Sequence, residues 1–285
     1  CPMHVRPAMF AGSWYPSSPS ACENEIRAFL EQPGMEAVSP RDFLGGIVPH
    51  AGWFFSGAIA CNVIHLLARG EMPELVWLFG MHLHQRSPAY IMTRGAWETP
   101  FGNLEIDSAC AEELSGRFDF QIETVDDFTP DNTIELQLPF VKYFFPETKI
   151  VPVGPPPTPK AMEIGTTAAE ISKKQGRRTR MIGSTDLTHY GPNYGFTPQG
   201  RGKEAVAWVK AENDRRMVEA LTALAPKRVI EEALSHQNAC CAGAAAAAIS
   251  AGKALGADSA EMVAYANSYD KNPGDSLVGY TGIVF

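Results

Sequence analysis

The apolar positions of this chain fall into short runs and helical stripes that alternate along its length. Gly45-Gly46-Ile47-Val48-Pro49-His50 is a short apolar run that ends in a polar loop, and Ala58 to Arg69 then carries apolar residues at helical spacing. Together they predict a strand-loop-helix unit. Leu75 to Phe79 is a second continuous apolar run, opened by Pro73 and closed by Gly80 ahead of His82-Leu83-His84. Further strands are predicted at Lys149 to Val153, Arg180 to Gly183 and Val278 to Phe285. Helices are predicted over Glu23 to Glu31, Ala161 to Lys174, Lys203 to Leu224, Lys227 to Leu234 and Ala242 to Leu255. Such alternation describes an α/β fold with a parallel-rich sheet covered on both faces, in which ligand groups collect beyond the carboxyl ends of the strands. Gly154-Pro155-Pro156-Pro157-Thr158-Pro159 reads as a stiff surface loop between strand and helix, so residues 1–285 are taken as one domain. The run Ala244 to Ala248 supplies small residues that let a helix lie close against a sheet.

Composition narrows the classes. With 45% hydrophobic residues the chain has material for a full core, and its net charge of -8 gives it no general attraction for nucleic acid or anionic lipid. The apolar runs are too short to cross a bilayer, and no basic-then-apolar signal segment is seen, so a cytoplasmic location is the expectation. Six cysteines, at 1, 22, 61, 110, 240 and 241, form no CxxC pair and read as reduced thiols. Cys1 itself allows three readings: a lipoprotein's mature end, a processed end or an artificial boundary.

Several residues carry chemistry by type and placement. His50 ends a strand in a glycine-rich loop that continues through Gly52 and Trp53. His82 and His84 are two apart, which in an extended segment turns both imidazoles to one side, an arrangement able to hold a metal. Asp186 and His189 follow the strand at Arg180, as a carboxylate and the imidazole it orients. Cys241 stands at the start of the alanine-rich helix, where the helix dipole lowers a thiol's pKa, and this makes it a candidate ligand or reactive thiol. Each of these also has an ordinary structural reading in packing or turn formation. GxSxG, HExxH, the Walker loop and a strand-linked GxGxxG are all absent, so the corresponding hydrolase, protease and nucleotide-binding readings lack their local signals.

Taken in order, Phe10-Ala11-Gly12-Ser13-Trp14-Tyr15-Pro16, Pro49-His50-Ala51-Gly52, Thr99-Pro100-Phe101-Gly102, Ile134-Glu135-Leu136-Gln137-Leu138-Pro139-Phe140, Val151-Pro152-Val153-Gly154 and Ser184-Thr185-Asp186 with His189-Tyr190-Gly191 resemble the Memo family. This is the family of AmmeMemoRadiSam system protein B, similar in fold to the class III extradiol dioxygenases. The resemblance implies a three-layer α/β/α domain with a largely parallel central sheet. It also implies a metal pocket built from His50, one of His82 and His84, and Cys241, with Cys240 turned to the packing side. Trp53, Asp131 and Asn132 are expected to line that pocket, with His189, Asp186 and His84 as catalytic candidates. Thiolate where the dioxygenases carry a carboxylate favours copper or a thiolate-bound iron, with zinc also fitting. The chain departs from the family at Asn132, where a His is usual, and the imidazole proton transfer of the dioxygenases is lost there. Three functions follow as expectations: a redox metal protein or oxygenase-like enzyme acting on a small molecule, a non-catalytic module for a peptide or small ligand, and a zinc-assisted hydrolase. Radical-SAM and AMMECR-type proteins are the partners that the resemblance implies.

Overall fold

The computed structural model describes residues 4–285, and Cys1 lies outside the described residues. The described residues form twelve strands: β1 (Val5–Arg6), β2 (Gly45–Val48), β3 (Leu75–Phe79), β4 (Ala89–Met92), β5 (Ala96–Trp97), β6 (Leu104–Glu105), β7 (Phe120–Glu123), β8 (Lys149–Gly154), β9 (Thr179–Ser184), β10 (His189–Tyr190), β11 (Glu261–Asn267) and β12 (Leu277–Val284). Nine of them make one sheet in the order β10-β12-β2-β9-β3-β8-β4-β7, with β11 on β12, while β1, β5 and β6 make a small second sheet. Its centre, β2-β9-β3-β8, is parallel throughout, and β12 and β4 join antiparallel on either side. All five residues of β3 are buried, as expected of a strand covered on both faces.

Helices pack on the two faces. A methyl group at Gly46 would meet Val63 of helix Ala58–Leu66 at 2.7 Å, while one at Gly183 would meet Ala248 of helix Ala242–Leu255 at 2.8 Å from the other face. The sheet is therefore the middle layer of an α/β/α sandwich. The alanine-rich helix is buried from Ala242 to Gly252, so the small residues do allow the close approach read from the sequence.

Two readings need correction. The Gly154–Pro159 loop is not a surface loop: Pro155, Pro156 and Pro157 are buried, and Gly243 lies directly against the backbone of Pro155 and Pro156. The helix predicted over Lys203 to Leu224 is broken by a π turn, Val209–Asn213, between Lys203–Trp208 and Asp214–Thr222. The turn re-aims two polar side chains into the core. Asn213 Nδ2 donates to Thr188 Oγ1 and to the His236 carbonyl, each at 3.0 Å, and Asp214 Oδ1 accepts from the Thr188 N–H at 2.9 Å. Strands β4, β7 and β11 and helix Leu138–Phe144 were not among the predicted elements. None of the described helices is long and apolar enough to cross a membrane.

Candidate metal centre

Strands β2, β3 and β9 end side by side in the parallel centre of the sheet, and the loops beyond them meet the start of helix Ala242–Leu255. His50, His82, Cys240 and Cys241 converge there, with one donor atom from each lying within 4.8 Å of all the others. The last residue of β9 and the two that follow it hold three of the four. Ser184 Oγ lies 2.9 Å from His50 Nδ1, which turns Nε2 inward to 3.3 Å from Cys240 Sγ. Asp186 Oδ1 accepts the His50 backbone N–H at 2.8 Å, and its carbonyl accepts the Cys240 N–H at 3.2 Å. Thr185 Oγ1 accepts the Cys241 N–H at 3.1 Å. His82 is aimed differently: its Nδ1 lies 3.6 Å from Asp131 Oδ2, which leaves Nε2 for an ion. Two imidazoles each oriented by an oxygen, together with sulfur donors, are what a soft or borderline metal requires, so the residues present fit such an ion.

The centre lies on the wall of an open cavity of about 620 Å³, lined by His50, His82, Asn132, Asp186 and His189 together with Phe54, Phe55, Tyr194 and Tyr280. A second cavity of about 410 Å³ meets it at His82 and His189 and exposes the Cys240 side. The Memo-like protein family model matches residues 6–284 of this sequence. The chain belongs to the Memo family. MEMO1 family proteins of Methanopyrus kandleri and Methanosarcina barkeri are 34% and 33% identical to it, over 99% and 98% of this chain and 99% of each relative. The crystal structure of an uncharacterized protein from Escherichia coli K12 is similar in fold, with a TM-score of 0.55 at 10% identity, covering 85% of this chain and 98% of that one.

Charge in this Memo-family site is set by mutual contact. Burial opposes ionisation of Cys240, but its hydrogen bond with Cys241 and the imidazoles of His50 and His82 hold its thiol well below the ordinary range. Burial and the neighbouring Cys240 sulfur push Cys241 well above it. At His82 burial favours the neutral ring, yet Asp131 and Cys240 outweigh it and raise the pKa to about 10. His50 is likewise raised by Asp186 and Cys240 against its burial, while burial pushes the Asp186 carboxyl up. Without metal, Cys240 and the two imidazoles therefore each favour the other's charged form.

Four expectations about this Memo-family site change. Cys240, expected on the packing side, faces His50, and the low-pKa thiol is Cys240 rather than Cys241. His84 is not brought to the centre with His82. Its Nδ1 instead accepts the Arg86 N–H at 3.1 Å on the exposed surface, which removes it both as a ligand and as a stand-in for the imidazole missing at Asn132. Trp53 does not line the pocket: it is buried, stacks on Phe140 at 4.3 Å and donates from Nε1 to the Leu136 carbonyl at 3.2 Å. It is Trp14 that stands beside the cavity in its place. Asn132 does line the cavity, with Nδ2 donating to the His50 carbonyl at 2.8 Å. His189 lines it too, with Nδ1 3.2 Å from the Leu187 carbonyl. Ser184, Thr185 and Thr133 were not singled out beforehand, since short hydroxyl residues after a strand carry no signal of what they will touch.

Proposed function

We propose that this Memo-family chain is a mononuclear metal protein that acts on or senses a small, uncharged organic molecule in the 620 Å³ cavity beside the ion. His50, His82 and thiolate sulfur from the Cys240–Cys241 turn are its ligands. The observation that carries this is the convergence of four donor atoms within 4.8 Å of one another at the carboxyl end of the sheet. Sulfur ligation directs the choice toward copper, zinc or thiolate-bound iron, and with copper or iron the ion would supply one-electron chemistry. Around it, Ser184 and Asp131 fix the ring orientations. Asp186 holds the His50 backbone and lies 3.7 Å from its Nε2.

The cavity lining includes no Lys or Arg. Aromatic faces at Phe54, Phe55 and Tyr194 alternate with the amides and hydroxyls of Asn132, Asn193 and Ser276, a lining suited to a neutral, partly aromatic ligand. Proton transfer, where turnover requires it, falls to His189, since Asn132 is an amide committed to the His50 carbonyl. That commitment favours a second reading, a binding module without turnover.

Anaerobic purification followed by elemental analysis separates these readings. About one iron or copper per chain, with oxygen consumed in the presence of a substrate, supports the redox protein. Zinc alone favours the hydrolase, and protein that retains no metal yet still binds ligand favours the module.

A further inference from the structure

We infer that Cys240 and Cys241 ligate the same ion together, so that the centre of this chain is a four-coordinate site of two imidazole nitrogens and two adjacent thiolates. This rests on the metal reading above and goes beyond it by assigning a second sulfur and a closed coordination sphere.

Distances carry the inference. With metal–sulfur bonds near ~2.3 Å and metal–nitrogen bonds near ~2.0–2.1 Å in a tetrahedron, the sulfur–sulfur edge is about 3.8 Å and a nitrogen–sulfur edge about 3.5 Å. The two thiol sulfurs are 3.6 Å apart, and His50 Nε2 is 3.3 Å from Cys240 Sγ. Both edges lie within a few tenths of an ångström of the tetrahedral values, and all four donor atoms lie within 4.8 Å of one another, so contraction of the remaining edges closes the site.

Adjacent residues in an extended strand point to opposite sides, and their sulfurs would not meet. Here the chain turns into a helix at Cys241, with φ -132° and ψ 53°, and both sulfurs fall on the imidazole side. Separate anchors fix the turn: the Cys240 N–H donates to the Asp186 carbonyl and the Cys241 N–H to Thr185 Oγ1. Among the described residues, the one hydrogen-bond partner of the Cys241 sulfur is Cys240. Four protein donors leave no built-in open position, which suits zinc(II) and copper(I) better than an ion that must keep free positions for substrate.

X-ray absorption on the full chain, loaded anaerobically with one equivalent of zinc, counts the sulfurs directly. The expected result is two sulfurs at about 2.3 Å and two nitrogens at about 2.0–2.1 Å, falling to one sulfur in Cys240→Ser and one in Cys241→Ser. Each single variant is also expected to lose affinity for zinc by tenfold or more, read by chelator competition. The wild-type count stands even where a variant fails to fold. One sulfur in the wild type would overturn the paired-thiol assignment while leaving the metal reading in place. Wild-type protein that binds no zinc and no copper(I) would overturn both.

Discussion

Asp131 does two jobs with its two oxygens. Oδ1 caps the short helix Asn132–Glu135 by accepting the Thr133 N–H at 2.9 Å, and Oδ2 faces the His82 ring at 3.6 Å. Asp131→Asn keeps a competent cap and removes the charge, because Asn caps a helix about as well as Asp. We therefore expect its metal affinity to fall about tenfold or more in chelator competition, with an unchanged melting temperature. A large loss of stability with normal affinity would show that Asp131 serves only the helix. The two histidines beside it are expected to separate cleanly: His82→Ala loses the metal, whereas His84→Ala retains it, as read by bound metal per chain. Equal losses would contradict the placement of His84 on the surface. His50 was legible here as a site residue, and the His82/His84 pair only as a pair; Asp186 was expected to orient His189 and instead accepts the His50 backbone N–H, while the His189 ring meets the Leu187 carbonyl. The divergence of His82 from His84 was not legible, since it shows only in contacts: the His82 ring faces Asp131, remote in sequence, whereas His84 Nδ1 accepts the Arg86 N–H.

Packing between elements offers a different kind of test. Helices Pro159–Lys174 and Ala242–Leu255 cross where Gly165 lies directly against the backbone carbonyl of Ala247, a contact that no side-chain rotation relieves. Gly165→Ala is expected to destabilise the protein by about 1–3 kcal/mol, seen as a melting temperature several degrees lower. An unchanged melting temperature would mean that the two helices slide apart freely. The alanine-rich helix and the strands β2, β3, β8 and β9 were legible because long apolar periods and Gly or Pro boundaries mark them. The π turn at Val209–Asn213 was not, because its cause is the buried partners of Asn213 and Asp214.

Asp214 also links this region to pH. Burial raises its carboxyl to about 6, against the hydrogen bonds from Thr188 and from the Tyr265 hydroxyl at 2.7 Å. The folded pKa lies above the unfolded value near 3.8, so folding favours the protonated form. Its stabilising effect is complete below the unfolded pKa and is lost as pH rises through about 6, a loss on the order of 2–3 kcal/mol. Asp214→Asn should escape that loss, so the stability of the variant relative to wild type, from urea unfolding, should be higher at pH 7 than at pH 4. A difference that does not change with pH would show that the Asp214 carboxyl has the same pKa in the folded and unfolded chain.

Over the whole molecule, the parallel centre of the sheet gathers at one end the loops that carry His50, His82 and Asp186, and the helix that begins at Cys241 adds the sulfurs. An α/β sheet of this kind was legible in the sequence, and so was the end at which chemistry would collect. Which thiol faces the imidazoles was not, because it turns on the path of two residues into a helix rather than on residue type. The cavity beside the centre joins aromatic faces to uncharged polar groups, so a small ligand held there would lie against the His50 and His82 rings. The most direct measurement is an anomalous difference map from crystals grown anaerobically with zinc or copper(I). The account predicts one strong peak about 2.0–2.3 Å from His50 Nε2, His82 and the sulfurs of Cys240 and Cys241. A map with no peak among these four side chains, in protein that crystallises with the metal present, would contradict it.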